Sequence, residues 1–442
     1  MRFRASEAAI VVGGRLLGAD VEFDGAGHDT RTLRPGQLFV PVVAERDGHD
    51  FVRAAVDAGA PAYLSARGRI DERAAGIEVA DTSAALLALG RSARDRLPDR
   101  VVGVTGSVGK TTVKDLAAAA LAAAFPTAAS ERSFNNELGV PLTLANAPEG
   151  TEAAVVEMGA RGAGHIATLC RVARPTIGVV TVVAAAHTEL FGSVDAVADA
   201  KGELVEALPA SGTAVLNAAD RRVAAMADRT LAAVLTFSST GPADVTASAV
   251  VLDKELRPSF RLSSPWGGAE LKLAVRGVHN VANALAAAAA ALAAGTPLDG
   301  VADGLARAEG SPWRMEVGRA PSGLVVVNDS YNANPTSVEA ALRALAGLEV
   351  GRRLAVLGVM AELGDCAPAE HARIGRLAAE LGIQVLAVGT DAYGPEWKVV
   401  DDGRAALAWL SSLGPLGAET AVLVKGSRVA GLEGVAEALL GA

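Results

Sequence analysis

Cysteine and aromatic residues are scarce in this chain. Two cysteines, Cys170 and Cys366, among 442 residues leave no disulfide framework and no cysteine spacing suited to a metal. That scarcity fits a reducing compartment, and a cytoplasmic protein is expected. Aromatics make up 4% of the chain and the net charge is −9, which argues against the clustered cations and stacking rings of a nucleic-acid surface. Small-molecule partners are expected instead, bound by a monomer. A membrane-spanning run is also lacking. Half of the residues are apolar and the mean hydropathy is +0.30, yet alanine drives that value. The most alanine-rich stretch, Val281 to Ala294, is broken by Asn283 and falls short of the ~20 residues a span requires. The N-terminal MRFRASEAAI has no long apolar segment followed by a cleavage site, so export is not expected.

What is present is glycine in a telling place. Around VVGVTGSVGKTTVKDL, a short β-branched run from Arg100 to Val104 leads into Gly106, Ser107, Gly109, Lys110, Thr111 and Thr112, and a helical pattern runs from Val113 to Phe125. Strand, glycine loop and helix in that order make a nucleoside triphosphate site. The loop amides and the helix dipole would hold phosphates, Lys110 would reach their oxygens, and the Thr111 hydroxyl would ligate Mg²⁺. The general pattern G-x-x-x-x-G-K-[ST] is missed, because position 104 is valine and the upstream glycine is Gly103.

A chain of this length exceeds one core, and its patterning divides it in three. Residues 1–98 hold strand-like LFVPVV (Leu38 to Val43), a DGHDF turn and a helix ending at Ala58. Residues 99–311 alternate helices with the continuous apolar runs EAAVVEM, TIGVVTVV and TAVLN, as in a buried parallel sheet, and 234–275 turn to the alternating pattern of antiparallel strands. Past Ser311-Pro312, residues 312–442 contain LVVVND, RLAVLGVM, IQVLAVG and TAVLVKG separated by helices, a Rossmann-like pattern. The expected class is α/β, with a central phosphate-loop ATPase of mostly parallel sheet.

Several charges fall at strand ends, where open α/β sheets bind ligands. Glu157 ends one buried run and is read as a second Mg²⁺ ligand. His187 follows the run Ile177 to Val183 and could offer an imidazole to a metal. Lys201 lies on the apolar stripe Val194, Val197, Ala198, Val205, Leu208 of one helix. Two readings are open for it: an amine snorkelling past the stripe edge, or a desolvated amine that has taken up CO₂ as an anionic carbamate ligand for Mg²⁺. In the last third, Asp329 enters the loop NDSYNANPTS, where Thr336 and Glu339 form a capping-box pattern, and Lys425 precedes Gly426, Ser427 and Arg428.

With those residues in view, the chain resembles the Mur ligases, ATP-dependent amide ligases of peptidoglycan synthesis. The spacing G-x-T-G-S-x-G-K-T-T is the form that family uses. SFNNELGVPLTL, EMGARGAGHI, AHTELFGSVDAVADAKGE, GVHNVANALAA, NDSYNANPTS, VMAELGD and VKGSR extend the likeness nearly end to end. The resemblance implies a uridine-nucleotide domain, a central ATPase and a C-terminal ligase domain. It also implies ATP, two Mg²⁺ ions and a carbamate on Lys201. Lys110 would contact phosphates, Thr111 and Glu157 would hold one Mg²⁺, and His187 with Lys201 the other; Asn280 and Asn283 would mark the adenine region, and Arg314 and Asp329 the ribose and phosphate side. Thr30, Arg31, Asp47, Gly48 and His49 resemble the uridine-substrate segment, although Ala44 replaces a familiar glycine there. Asn135, Asn136, Tyr331, Asn332, Asn334, Lys425, Ser427 and Arg428 are assigned to substrate.

Within the family, the stretches point to the branch that adds D-alanyl-D-alanine to a UDP-N-acetylmuramoyl-tripeptide through an acyl phosphate. A neighbouring ligase that adds a diamino acid, a folylpolyglutamate synthase and a nucleotide-driven switch remain as alternatives. NDSYNANP and the lack of a DNPR stretch weigh against the diamino-acid ligase.

Overall fold

Continuous apolar runs become buried parallel strands. In the computed structural model, which describes residues 1–131, 133–184 and 188–441, three sheet systems follow the order of the chain. The central sheet has nine strands. From its hairpin edge they run Gly267–Lys272, Pro258–Ser264, Val245–Leu252, Ala233–Ser238, Thr213–Asn217, Ile177–Val180, Val101–Thr105, Ala153–Glu157 and Thr127–Ala129. Pairing is parallel from Thr127–Ala129 as far as Val245–Leu252 and antiparallel beyond it, so the pattern change read from 234–275 begins in structure at Val245. Strand Val101–Thr105 lies between Ala153–Glu157 and Ile177–Val180. The carboxyl ends of these three adjacent strands open onto one crevice.

The alanine-rich stretch is a core helix, Asn280–Ala293, in which Ala286 to Ala291 are fully buried. Side chains this small let it lie in one apolar cluster with the phosphate-loop helix Lys110–Ala122. Among the described residues no helix is long and apolar enough to cross a membrane.

The N-terminal region carries a five-stranded sheet, in the order Arg15–Leu17, Ala75–Glu78, Ala62–Ser65, Leu38–Phe39, Ala26–Gly27, and the pair Arg2–Arg4 with Glu22–Asp24. The strand expected from Leu38 to Val43 stops at Phe39, because Pro41 cannot donate to a ladder. Helix Thr82–Asp95, capped by Asp81, shares a core with the central helices Gly139–Ala145 and His165–Ala173. Gly90 permits that approach: a Cβ there would lie 2.5 Å from the Pro141 Cβ.

The C-terminal sheet runs Glu316–Arg319, Val325–Asn328, Thr420–Lys425, Arg352–Leu357, Gln384–Val388, Lys398–Val400, parallel except for its first pair. Helix Pro335–Ala346 corrects the sequence reading of its start. Asn334, not Thr336, is the N-cap, accepting from the Ser337 N–H while the Ser337 hydroxyl takes the Asn334 N–H. Glu339 instead pairs with Arg343 and Arg373.

Candidate active site

The phosphate loop bridges strand Val101–Thr105 and helix Lys110–Ala122. Gly106 and Gly109 adopt φ of +145° and +87°, and a Cβ on Gly109 would lie 2.5 Å from the Asn283 amide oxygen. Glycine is therefore required at the turn into the helix. Lys110 folds back over the loop, its Nζ donating to the Gly106 carbonyl at 2.7 Å. Burial pushes its pKa down, an effect opposed by Glu157 and reinforced by Arg314.

Around this loop lies a cavity of about 870 Å³. It brings together Ser107, Gly109, Lys110, Thr111, Thr112, Glu157 and Lys201 from the central region with Arg314, Asp329, Tyr331, Asn332, Asn334, Lys425, Ser427 and Arg428 from the C-terminal region. Asn135, Asn136, Asn280 and Asn283 also line it. Asn283 donates to the Asn280 side chain at 2.7 Å, and Asn280 to the Arg276 carbonyl, which fixes both amides at the start of the core helix.

Of the residues expected to hold metal, Glu157 and Lys201 have surroundings that fit that role. Glu157 is 1% exposed; its Oε1 accepts from the Asn135 amide at 2.8 Å, and its Oε2 is buried with no partner among the described residues. Lys201 is 2% exposed and makes no hydrogen bond or ion pair with any described residue. Burial, and then the charge of Lys110, holds its pKa well below the ordinary lysine value. An unpaired buried carboxylate oxygen and a desolvated amine on one cavity wall are the groups that a bound cation and a carbamate would satisfy. Among the described residues no three His, Cys, Asp or Glu side chains converge as a ready-made metal cluster. The Thr111 hydroxyl and a carbamate would have to complete the set. His187 lies outside the described residues.

In the C-terminal region, adjacent parallel strands place Asn328 opposite Val424, which brings Asp329 and Lys425 together. Lys425 Nζ reaches Asp329 Oδ2 at 2.6 Å and the Asn332 carbonyl at 2.8 Å. Burial lowers the Lys425 pKa against the attraction of Asp329. Ser427 accepts from the Ala361 N–H and donates to the Ala333 carbonyl, tying two loops together. Tyr331 meets the Ser133 hydroxyl of the central region and carries the Arg314 guanidinium 4.2 Å above its ring.

The uridine-segment residues stand apart: Thr30, Arg31, Asp47, Gly48 and His49 are not among the cavity lining. Arg31 is turned onto Asp29. His49 is buried, Asp47 bonding its Nδ1 and the Ala66 N–H its Nε2, so it braces the turn. A Cβ on Gly48 would lie 2.7 Å from the Val42 carbonyl oxygen. Sequence reasoning missed His279, Arg161 and His165, all of which line the cavity. His279 directly precedes Asn280, and its Nδ1 is buried without a partner among the described residues; Arg161 and His165 lie in EMGARGAGHI, where no spacing in the sequence sets them apart from other surface charges.

Two family models match the chain. One described as Mur ligase middle domain matches residues 104–291, and one described as Mur ligase, glutamate ligase domain matches 313–428. The UDP-N-acetylmuramoyl-tripeptide–D-alanyl-D-alanine ligase of Mycobacterium tuberculosis is 40% identical, over 98% of this chain and 97% of that protein. A crystal structure of MurF from Acinetobacter baumannii superposes with a TM-score of 0.89 at 31% identity, covering 100% of this chain and 99% of the other. MurF ligase of Thermotoga maritima, solved in complex with ADP, gives 0.81 at 27% identity over 94% and 96%. With a phosphate loop, an acidic strand end and an Asp–Lys pair in one cavity, and full-length relatives at this identity, the chain belongs to the Mur ligase family.

Proposed function

We propose that this enzyme joins the amine of D-alanyl-D-alanine to the terminal carboxyl of a UDP-N-acetylmuramoyl-tripeptide at the expense of ATP, a cytoplasmic step of peptidoglycan precursor synthesis. Residues 1–98 serve the uridine nucleotide, 99–311 bind ATP and 312–442 present the dipeptide. One observation carries the reading: the phosphate loop and the polar loops NDSYNANPTS and VKGSR line the same cavity.

The tripeptide carboxylate attacks the γ-phosphorus, ADP leaves, and the resulting acyl phosphate is opened by the dipeptide amine with loss of phosphate. No protein nucleophile is needed. Lys110 and the loop amides draw two anions together, so positioning and electrostatics do most of the catalysis. Lys110 exchanges its contact with the Gly106 carbonyl for phosphate oxygens. Thr111 and Glu157 would hold one Mg²⁺, and His187 with carbamylated Lys201 a second. When bound, the ions neutralise charge on the transferred phosphoryl group. Tyr331, Asn332 and Asn334 offer short polar contacts to a small zwitterion, and Ser427 and Arg428 face its carboxylate. Asn135 orients Glu157.

An omission series tests the reading. Phosphate release from ATP and Mg²⁺ should require both the uridine tripeptide and D-alanyl-D-alanine. Release with either one alone, at the full rate, would point to a nucleotide-driven switch.

A further inference from the structure

The segment joining the central and C-terminal regions lies along the phosphate-loop helix and is fastened to it at two points. Thr111 and Asp115 are four residues apart, on one face of helix Lys110–Ala122 and about 6 Å along its axis. Arg314 Nη2 donates to Thr111 Oγ1 at 3.0 Å, and Ser311 Oγ donates to Asp115 Oδ2 at 2.5 Å. The other Asp115 oxygen takes the buried Lys114 ammonium at 2.5 Å, and Lys114 also donates to the Ser130 carbonyl. Asp115 is thus held by its own helix and holds the segment.

The backbone around Arg314 is strained. Trp313 and Met315 have φ of +61° and +49°, a region that side chains of this size rarely enter. Such strain, of order 1–3 kcal/mol per residue, persists only where surrounding contacts over-determine it. Such contacts surround the turn. On one side are Asp115 and Thr111; on the other, the Trp313 carbonyl accepts from the Tyr331 N–H at 3.2 Å and the Met315 N–H donates to Asp329 Oδ1 at 3.1 Å. Without the Ser311 anchor the segment would lose a charged hydrogen bond, and with it the restraint that keeps the turn before Arg314.

We propose that Asp115 is a positioning residue for the nucleotide: by holding Ser311 it presents the Arg314 guanidinium to the phosphate loop. The proposal rests on reading that loop as the ATP site. Asp115 touches no reacting atom and works through Arg314, so its loss affects nucleotide affinity more than peptide affinity.

The test is a mutant cycle with ATP affinity, measured by calorimetry, as its readout. Ser311→Ala leaves the Asp115–Lys114 pair intact and so provides a variant whose folding is not in question, whatever Asp115→Ala does. Ser311→Ala should weaken ATP binding roughly tenfold, the size of one hydrogen bond to a charged group, and leave KM for the uridine tripeptide unchanged. Ser311→Thr keeps the hydroxyl and should restore the wild-type value. In an Arg314→Ala background, Ser311→Ala should add less than a twofold change. Unchanged ATP affinity in folded Ser311→Ala, or a full tenfold loss that persists without Arg314, would overturn the proposal. Failure of the underlying reading looks different: wild type and Lys110→Ala would then bind ATP equally.

Discussion

Replacing Lys201 with methionine separates what the amine does for the fold from what it does for the chemistry. Lys201 is 2% exposed on helix Val194–Glu206, among the buried Val197, Leu204 and Val205, and its amine finds no partner among the described residues. Methionine keeps the unbranched stem and ends it in a thioether that suits apolar surroundings. Removing one unpartnered buried polar group is worth about 1–3 kcal/mol. At roughly 2–4 °C per kcal/mol for a cooperative unit of 150–250 residues, the transition that includes the central region should rise by about 2–12 °C in metal-free, CO₂-depleted buffer. Activity should move the other way, falling roughly 10²-fold or more as the proposed anionic ligand is lost. Lys201→Arg should be equally inactive, since guanidinium forms no such carbamate, and Lys201→Ala should regain part of its turnover with a small added carboxylic acid. Calorimetric melting and phosphate release measure the two effects. A methionine variant that melts below wild type, or turns over at the wild-type rate, would refute the reasoning.

Lys110→Ala should cost on the order of 10²–10³ in rate while the protein stays folded, because its contacts are with loop carbonyls and not the core; near-normal turnover would remove the phosphate-loop assignment. Leu256 belongs to the central hairpin turn yet is 2% exposed within the C-terminal apolar cluster, so Leu256→Ala should cost about 2–5 kcal/mol, read by denaturant titration, and loosen the joint between the two regions. A loss below about 1 kcal/mol would show that the joint does not depend on it. Burial pushes the Cys170 thiol up to about 12, so Cys170 should resist iodoacetamide at pH 9 in the folded protein and react once it is unfolded. The sign for stability follows: above the unfolded thiol pKa the unfolded chain releases a proton that the folded chain keeps, so this group's contribution falls as pH rises. Rapid native labelling at Cys170 would contradict the buried position.

The phosphate loop was legible because its chemistry is local: glycines, a lysine and a hydroxyl within one turn, between an apolar run and a helix. Lys201 was legible from period alone, since a cation on an apolar stripe breaks the pattern. Strands Thr127–Ala129 and Lys398–Val400 were not, because three residues carry no periodicity and gain their strand form from neighbours. The helix start was misplaced by two residues because Asn334 and Thr336 are both capping types; Pro335 at the first helical position was the deciding cue. The contact of Arg314 with Thr111, 203 residues apart, was beyond reach, for it depends on how two sheets face each other. His49 shows a second limit. The family resemblance assigned it to the uridine-substrate segment, and its hydrogen bonds to Asp47 and the Ala66 N–H, which no spacing in the sequence shows, brace the turn that carries that segment.

Substrate identity is the central claim, and mass spectrometry of the product tests it most directly. Purified enzyme given ATP, Mg²⁺, a UDP-N-acetylmuramoyl-tripeptide and an equimolar mixture of D-alanyl-D-alanine with single amino acids should yield the pentapeptide product as the dominant new mass. In parallel reactions supplied with the dipeptide precursor and a diamino acid, or with a folate and glutamate, efficient ligation there with no pentapeptide formed from the tripeptide would contradict the account.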